Sequence, residues 1–145
     1  MGKMAFVFPG QGAQYAGMGK DFYEKYPVSR AVFEKASAVS GLDLPALCFE
    51  KNDKLDVTEY TQIAMLTVEA AILAAVKEAD IRPDVSAGLS LGEYGALLVS
   101  GALAREDAFR VVRKRGIYMQ KAVPAGGAMT AVIGMEGKEV EKVCK

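Results

Sequence analysis

The sequence predicts an α/β fold built on a parallel β-sheet, and three observations support this prediction. Short apolar runs typical of buried strands alternate along the chain with longer segments of helical periodicity. Glycine-rich turns follow these runs, as at residues 8–12 and 88–92. No internal repeat or low-complexity linker interrupts the alternation. Strands that are separated by helices indicate parallel βα units, because each helix returns the chain to the start of the sheet.

Apolar periodicity and turn residues locate the individual elements. Strands are predicted at residues 4–8, 84–89 and 128–134. Helices are predicted at 18–26, 28–40, 59–79, 91–99, 105–123 and 138–145, whereas 42–58 shows no clear pattern. The residues expected to end helices are Gly41, Pro83, Gly101 and Pro124. With three predicted strands and a last helix that runs to Lys145, the sequence is expected to be the first part of a larger unit.

Composition excludes several functional classes. Hydrophobic residues make up 51% of the 145 residues, as in a globular protein, and 18 basic and 18 acidic residues cancel, so no nucleic-acid surface is expected. The longest apolar stretch, 63–76, is predicted to be too short to span a membrane. Cys48 and Cys144 form no disulfide framework and fit a reducing cytoplasm, and no metal-ligand spacing is present. The chain has no histidine, so it lacks a ready general base near pH 7.

The segment from Gly88 to Gly92 has the Gly-x-Ser-x-Gly pattern of a nucleophile elbow, with Ser90 at its centre. In such an elbow the serine lies on a sharp, strained turn between strand and helix, so its neighbours two positions away must be small. The N-terminus of the following helix directs amide groups at the site and favours developing negative charge. The alternative is an ordinary Gly-Ser turn that joins a strand to a helix.

The turn after the first strand, residues 8–12, is the second candidate part of a site. A dinucleotide-binding loop is excluded because Tyr15 occupies the position of its third glycine. If the first strand neighbours the elbow strand, both turns emerge at the carboxyl edge of the sheet. The backbone N–H groups of Gln11 and Leu91 then form an oxyanion hole, worth about 3–4 kcal/mol per donor in acyl transfer. The alternative is an ordinary glycine turn.

Arg115 is predicted to lie on the apolar face of its helix. Residues with the spacing of one helix face are Ala108, Val111, Val112, Arg115 and Met119. The other side is expected to be solvated and carries Arg110, Arg113 and Lys114. A guanidinium in an apolar arc needs an anionic partner, so Arg115 either forms an internal salt bridge, for example to Glu93, or binds a substrate carboxylate. Gln62 either lines the same cleft or forms a helix-start hydrogen bond.

Four motifs occur together along the chain. They are, in order, Phe6-Val-Phe-Pro-Gly-Gln-Gly12, Thr61-Gln62, Gly88-x-Ser-Leu-Gly-Glu-Tyr94, and Arg115-Gly-x-x-Met-Gln120 followed by Ala122-Val-Pro124. In order and spacing they resemble the malonyl-CoA:acyl carrier protein transacylases and the acyltransferase domains of fatty-acid and polyketide synthases. The resemblance covers the chain and implies an incomplete α/β-hydrolase-like subdomain at residues 1–125. Residues 126–145 would begin an inserted ferredoxin-like subdomain.

The resemblance also implies a role for each candidate residue. Ser90 matches the nucleophile, and the backbone N–H groups of Gln11 and Leu91 match the oxyanion-hole donors. Arg115 matches the arginine that pairs with the malonyl carboxylate, and Gln62 matches a glutamine that lines the site. The implied reaction moves a malonyl group from malonyl-CoA, through a seryl ester, to the phosphopantetheine thiol of acyl carrier protein. It belongs to fatty acid biosynthesis and needs no metal or redox cofactor.

Two departures from the family pattern bear on activity. Leu89 stands where family members commonly carry a histidine before the nucleophile. The catalytic histidine that the resemblance implies lies in a C-terminal remainder, because relatives are about twice as long. The isolated chain is expected to be inactive without that remainder, since a serine without its base loses several orders of magnitude in rate. The alternatives are a serine or acyl hydrolase of related fold, and an inactive fragment that only binds acyl carrier protein.

Overall fold

The computed structural model describes residues 2–122, 130 and 132–145 of the chain. Within these residues two strands and seven helices form an α/β arrangement. Their bounds are β1 Ala5–Phe8, α1 Lys20–Lys25, α2 Pro27–Ser40, α3 Leu44–Phe49, α4 Thr58–Glu78, β2 Val85–Gly88, α5 Gly92–Ser100, α6 Arg105–Ala122 and α7 Gly137–Val143. The predicted α/β class with a parallel sheet is confirmed, and the sheet has two strands in this part of the chain.

β1 and β2 lie side by side in parallel, with Phe8 opposite Gly88. At one end of the pair the backbone N–H of Met4 donates to the Asp84 carboxylate at 2.7 Å. At the other end the backbone N–H of Leu89 donates to the carbonyl oxygen of Phe8 at 3.1 Å. Because parallel strands end at the same edge of a sheet, the turns that follow β1 and β2 meet there.

α4 is the centre of the core, as its apolar composition predicts. It packs against α2 and α6, and over smaller areas against α1, α3 and α5. At 21 residues α4 is long and apolar enough to cross a membrane, so the length argument drawn from the sequence is wrong. Most of its apolar window is buried inside the fold, however, as in the core helix of a globular protein. The fully buried side chains of α4 include Ile63, Ala64, Leu66 and Thr67.

α3 lies in the segment for which the sequence showed no clear pattern. The Asp43 carboxylate caps this helix by accepting a hydrogen bond from the backbone N–H of Ala46 at 2.9 Å. Pro45 lies in the first turn, where its missing N–H leaves no hydrogen bond unmade. The three-residue pattern Asp-x-Pro at residues 43–45 is therefore the signal that would have predicted this helix.

The ends of the predicted helices agree with the structure to within two residues. Gly41 and Gly101 end α2 and α5 in the left-handed conformation, with φ of 71° and 74°. The predicted strand at 128–134 falls in part on residues 128, 129 and 131, which lie outside the described residues, while 130 and 132–134 are not in a strand. The last predicted helix is present as α7 and has no buried side chain. The assignment of residues 126–145 to a second subdomain stays a prediction.

Two glycines allow α5 to begin directly against both strands. A Cβ on Gly92, the first residue of α5, would overlap the backbone of Phe8 and Pro9 at the end of β1. A Cβ on Gly88, the last residue of β2, would overlap the backbone of Gly92. The close packing of protein interiors leaves no room for a side chain at either position. The Gly-x-Ser-x-Gly spacing is thus a steric requirement of this junction.

Glu69 is an exception within the apolar core. Its side chain on α4 is 8% exposed, and neither carboxylate oxygen has a hydrogen-bond partner among the described residues. Burial raises the pKa of Glu69 from 4.5 to about 8, because the ionised carboxylate is poorly solvated there. The carboxyl is therefore protonated at neutral pH in the folded chain.

Gly92→Ala is expected to lower the free energy of unfolding by about 3 kcal/mol or more, because the new Cβ overlaps the main chain of β1. Urea unfolding followed by circular dichroism measures the change. Gly137→Ala is the matched control, since Gly137 also begins a helix but has no atom within 4 Å of the added Cβ. It should stay within about 0.5 kcal/mol of the unchanged chain. Equal stability of the two variants would contradict the steric account.

Glu69→Gln is expected to remove the loss of stability that the unchanged chain undergoes as pH rises. Between pH 4.5 and about 8 the folded state holds a proton on Glu69 that the unfolded state has released. The free energy of unfolding therefore falls as pH rises through this window, by at most about 5 kcal/mol at ~1.4 kcal/mol per pH unit. Urea unfolding across this range measures the slope. Glu78→Gln, at the exposed end of α4, should still show the decrease in the free energy of unfolding as pH rises. The same decrease in Glu69→Gln would refute the account.

Candidate active site

Ser90 occupies the turn between β2 and α5 in a strained conformation. Its φ is 53°, and among the described non-glycine residues only Asp80 shares a positive φ. The turn is tight, because the backbone N–H of Gly92 donates to the carbonyl oxygen of Leu89 at 2.9 Å. Left-handed backbone at a serine costs free energy and persists where the surroundings impose it, as Gly92 does here. The Ser90 residue is exposed at the carboxyl edge of the sheet.

Two backbone N–H groups beside this turn have no acceptor within the described part of the chain. Leu91 is fully buried, and its N–H donates to no acceptor in the described part of the chain. The N–H of Gln11 likewise has no acceptor among residues 2–122, 130 and 132–145. The two turns are in contact, since a Cβ on Gly10 would lie 2.9 Å from the carbonyl oxygen of Leu89. The structure therefore brings the turns of Gln11 and Leu91 together at one edge of the sheet.

The Gln11 side chain fixes the first of these turns to the core helix. Its Nε2 donates to Thr58 Oγ1, at the start of α4, at 3.0 Å. The next glutamine, Gln14, donates through Nε2 to Asp56 Oδ1 at 2.9 Å. Thr58 is a residue that the sequence reasoning did not select. A contact between residues 47 positions apart has no local sequence signal.

A chain of hydrogen bonds joins Ser90 to α4 through Arg115. Arg115 Nη2 donates to Ser90 Oγ at 3.1 Å, and Nη1 donates to Gln62 Oε1 at 2.6 Å. Gln62 is fully buried, and its Nε2 donates to the Met119 sulfur at 3.1 Å. The amide of Gln62 thus uses its oxygen for the guanidinium and its nitrogen for a thioether. Ser90, Arg115 and Gln62 form one connected group.

Two interpretations of these residues are corrected by the geometry. Gln62 forms no helix-start hydrogen bond, because its amide is directed across to α6 instead. Arg115 forms no salt bridge to Glu93 or to any other carboxylate in the described part of the chain. Its guanidinium lies 5.7 Å from the centre of the Tyr94 ring, a cation–π contact. The internal acceptors of Arg115 are therefore neutral, and its charge is left without an anionic partner within these residues.

The packing of α6 on α4 holds Arg115 in place. A Cβ on Gly116 would lie 3.0 Å from the Glu59 Cα, so the two helices approach closely just beside Arg115. Arg113 Nη1 donates to the carbonyl oxygen of Glu59 at 2.9 Å and lies 3.5 Å from its carboxylate. The guanidinium of Arg113 also covers the Tyr60 ring at 5.4 Å. The prediction that Arg113 belongs to the solvated side of the helix is wrong, because the start of α4 covers it.

The apolar face assigned to α6 is also partly wrong. Ala108 and Val112 are buried as predicted, but Val111 and Met119 are 43% and 44% exposed. Phe109, which was not selected, is fully buried. A helical wheel locates a face but not the neighbour that covers it, so Arg115 lies at the edge of the buried stripe and not within it. This position lets its guanidinium reach both the buried Gln62 and the exposed Ser90.

The arrangement suits chemistry on an anionic acyl compound. A serine hydroxyl on a strained turn lies at the same edge of the sheet as two backbone N–H groups and an arginine that have, respectively, no acceptor and no anionic partner among the described residues. The sequence contains no histidine, so this chain cannot itself supply a histidine as the general base of a serine mechanism. No group of three metal-ligating side chains occurs within residues 2–122, 130 and 132–145.

Comparison with known proteins gives the family. Residues 5–144 match the acyl transferase domain. The malonyl CoA-acyl carrier protein transacylase of Bacillus subtilis is 47% identical over 145 residues, which are 99% of this chain and 46% of that protein. The structure of malonyl-CoA:acyl carrier protein transacylase from Xanthomonas oryzae has a TM-score of 0.90 at 44% identity and covers 99% of this chain and 47% of that one.

A third similar structure is a type II PKS acyl-carrier protein in complex with its malonyl-transacylase. Its TM-score is 0.90 at 40% identity, and it covers 99% of this chain and 47% of that one. The chain thus spans about half the length of the relatives it matches. On this evidence the chain belongs to the acyl transferase family, among relatives that are malonyl CoA-acyl carrier protein transacylases.

Proposed function

We propose that the chain carries the serine nucleophile and the carboxylate-binding arginine of a malonyl-CoA:acyl carrier protein transacylase in fatty acid biosynthesis. The observation that carries the proposal is the 3.1 Å contact between Arg115 Nη2 and Ser90 Oγ. A guanidinium so close to a nucleophilic hydroxyl favours acyl groups that end in an anion. The names of the relatives, malonyl CoA-acyl carrier protein transacylases, agree with this selectivity.

Arg115 is the proposed ligand of the malonyl carboxylate. Gln62 Oε1 holds Nη1 at 2.6 Å and so orients the plane of the guanidinium beside Ser90. A carboxylate has two oxygens and accepts two parallel N–H donors from such a fork, whereas a single hydroxyl oxygen does not accept both in parallel. Hydrogen bonds to charged groups contribute about 1.5–3 kcal/mol each. An acetyl group, which lacks the carboxylate, gains none of this binding energy.

Ser90 is the proposed carrier of the malonyl group. In the first half-reaction Ser90 Oγ attacks the thioester carbon, the carbon–sulfur bond breaks, and coenzyme A leaves as the thiol with the proton that Ser90 gives up. The N–H groups of Leu91 and Gln11 hold the oxyanion that forms during the attack. In the second half-reaction the phosphopantetheine thiol attacks the seryl ester, and Ser90 regains its proton.

The base that moves this proton is proposed to lie outside the chain, since the sequence has no histidine. Leu89, which precedes Ser90, is 72% exposed and offers no proton acceptor. The base then belongs to the C-terminal remainder, the half of the relatives' length that the chain does not span. Malonyl-CoA and acyl carrier protein are the substrates of the completed protein, which works in the cytoplasm without a metal or redox cofactor. The chain alone is inactive as a transferase.

A serine hydrolase of related fold is the second candidate function. The exposure of Ser90 favours it, because a seryl ester at an open edge is accessible to water. The same residues serve either reaction, and the acceptor of the acyl group distinguishes them. A thiol acceptor gives transfer, whereas a water acceptor gives release of the free acid.

Malonyl-CoA is expected to place one malonyl group on Ser90 of the full-length protein, because the hydroxyl is exposed beside Arg115. Intact mass and peptide mapping measure the adduct. Ser90→Ala should abolish it, and Ser100→Ala, at the exposed end of α5, should not. A folded protein that forms no adduct would contradict the proposal and would favour the interpretation that the chain is a fragment that only binds acyl carrier protein. Adduct formation followed by release of malonate, with acyl carrier protein present, would favour the hydrolase.

Arg115→Ala is expected to lower kcat/KM for malonyl-CoA by about 10- to 100-fold, the equivalent of one or two lost charged hydrogen bonds. Transfer of an acetyl group should fall by less than about 3-fold, because acetyl has no carboxylate to lose. Arg110→Ala, which removes an exposed arginine of the same helix paired with Glu106 and Asp107, should change neither rate. Equal losses for malonyl and acetyl would show that Arg115 is structural.

A further inference from the structure

The turn that carries Gln11, residues 9–14, has little backbone stiffness of its own. Gly10 and Gly12 flank Gln11, and Gly12 has a φ of 112°, which favours glycine. Glycine permits this turn but does not fix it, because its backbone has more conformational freedom than that of any other residue. An added Cβ on Gly12 would meet no atom within 4 Å, so packing does not hold this side of the turn. The direction of the Gln11 N–H therefore depends on the other contacts of this segment, the Gln11 turn.

Two side-chain hydrogen bonds connect the Gln11 turn to the segment that leads into α4. Gln11 Nε2 donates to Thr58 Oγ1 at 3.0 Å. Gln14 Nε2 donates to Asp56 Oδ1 at 2.9 Å, while Gln14 Oε1 accepts from the backbone N–H of Gly12 at 2.8 Å. Thr58 thus holds the side chain of Gln11. Asp56, through Gln14, holds the peptide group that follows it.

A third contact holds the peptide group that precedes Gln11. A Cβ on Gly10 would lie 2.9 Å from the carbonyl oxygen of Leu89, so the turn lies directly on the backbone of the elbow. The N–H of Gln11 belongs to this peptide group and has no acceptor among the described residues. The side chain of Gln11 and both of its peptide groups are therefore held, while its N–H stays available to a ligand in this part of the chain.

The two side-chain hydrogen bonds lie near the surface and contribute little to folding. Gln11 and Asp56 are exposed and Thr58 is half-buried, so water competes for the same groups. The rate of acyl transfer depends far more steeply on the position of a donor. Loss of one oxyanion-hole donor costs about 10²- to 10³-fold in kcat, and a displacement of about 1 Å costs up to ~10²-fold. Contacts that hold such a donor therefore affect catalysis much more than stability.

We propose that Thr58 and Asp56 are positioning residues for the transacylase reaction and act through the Gln11 turn. Together they hold the Gln11 N–H where the thioester oxygen becomes negative during attack by Ser90. The guanidinium of Arg115 is hydrogen-bonded to neither of them, so their effect does not depend on the malonyl carboxylate. The inference rests on the proposed function, in which the Gln11 N–H binds the oxyanion.

Thr58→Val in the full-length protein keeps the shape of the side chain and removes its acceptor oxygen. The kcat of malonyl transfer is expected to fall by about 10-fold or more with KM within about 2-fold, because the oxyanion exists only in the transition state. Transfer of an acetyl group should fall by the same factor, whereas loss of Arg115 affects malonyl selectively. Thr58→Ser restores the hydroxyl and should return kcat to within about 3-fold of the unchanged protein.

Asp56→Ala tests the second hydrogen bond. It should lower kcat for malonyl and acetyl alike by about 3- to 10-fold, and Asp56→Asn, which keeps an acceptor oxygen, should restore most of the rate. Asp53→Ala is the matched control, because Asp53 is an exposed aspartate of the same segment that is not bonded to the Gln11 turn. It should change neither kcat nor the melting temperature. If Thr58→Val lowers the melting temperature enough to explain its loss of activity, Asp56→Ala decides the test.

Nitrogen-15 relaxation of the Gln11 and Gly12 amides measures the hold on the turn without any turnover. Their order parameters should fall from about 0.85 in the unchanged protein to below about 0.6 in Thr58→Val. Unchanged order parameters, an unchanged kcat, or a loss confined to malonyl would each overturn the inference. An unchanged protein that forms no malonyl adduct would contradict the proposed function and the catalytic role with it. The relaxation measurement distinguishes that outcome from a turn that Thr58 does not hold.

Discussion

The contact between Gly92 and the end of β1 determines where the other parts of the candidate site lie. Because α5 starts on the main chain of Phe8 and Pro9, the chain has only three residues, 89–91, in which to leave β2 and enter the helix. This short connection imposes the left-handed φ of Ser90 and leaves its side chain exposed at the sheet edge. It also turns the buried N–H of Leu91 away from any acceptor in the described chain. One backbone contact thus determines the positions of both the Ser90 hydroxyl and the Leu91 N–H donor beside it.

The second constraint is the buried amide of Gln62, which is hydrogen-bonded through both its oxygen and its nitrogen between two helices. The oxygen accepts from Arg115 and the nitrogen donates to Met119, which lowers the cost of burying this polar group in the core. The same bonds align α6 on α4, and Gly116 allows the approach that they require. Stability and selectivity are therefore linked, because the contact that keeps Gln62 satisfied also aims the guanidinium at Ser90.

The sequence predicted the local features well and the long-range ones poorly. Helix ends followed from residues such as Gly41 and Gly101, and the elbow followed from its glycine spacing, since both are consequences of backbone sterics at a single turn. The helix-start hydrogen bond offered as one alternative for Gln62 and the solvated position predicted for Arg113 were wrong, because the contacts of both residues are fixed by packing between α4 and α6, more than 50 residues apart. That packing depends on where Gly116 lets the helices meet, and periodicity within one helix does not encode it.

The buried Glu69 changes the charge of the folded molecule. The formal net charge of zero counts every one of the 18 acidic side chains as ionised. A carboxyl with a pKa of about 8 is neutral at pH 7, so the folded chain alone carries a net charge of about +1 there. Its isoelectric point then lies above the 6.3 expected for the unfolded sequence. Folded and unfolded chains would separate on a focusing gradient because of one side chain that solvent barely reaches.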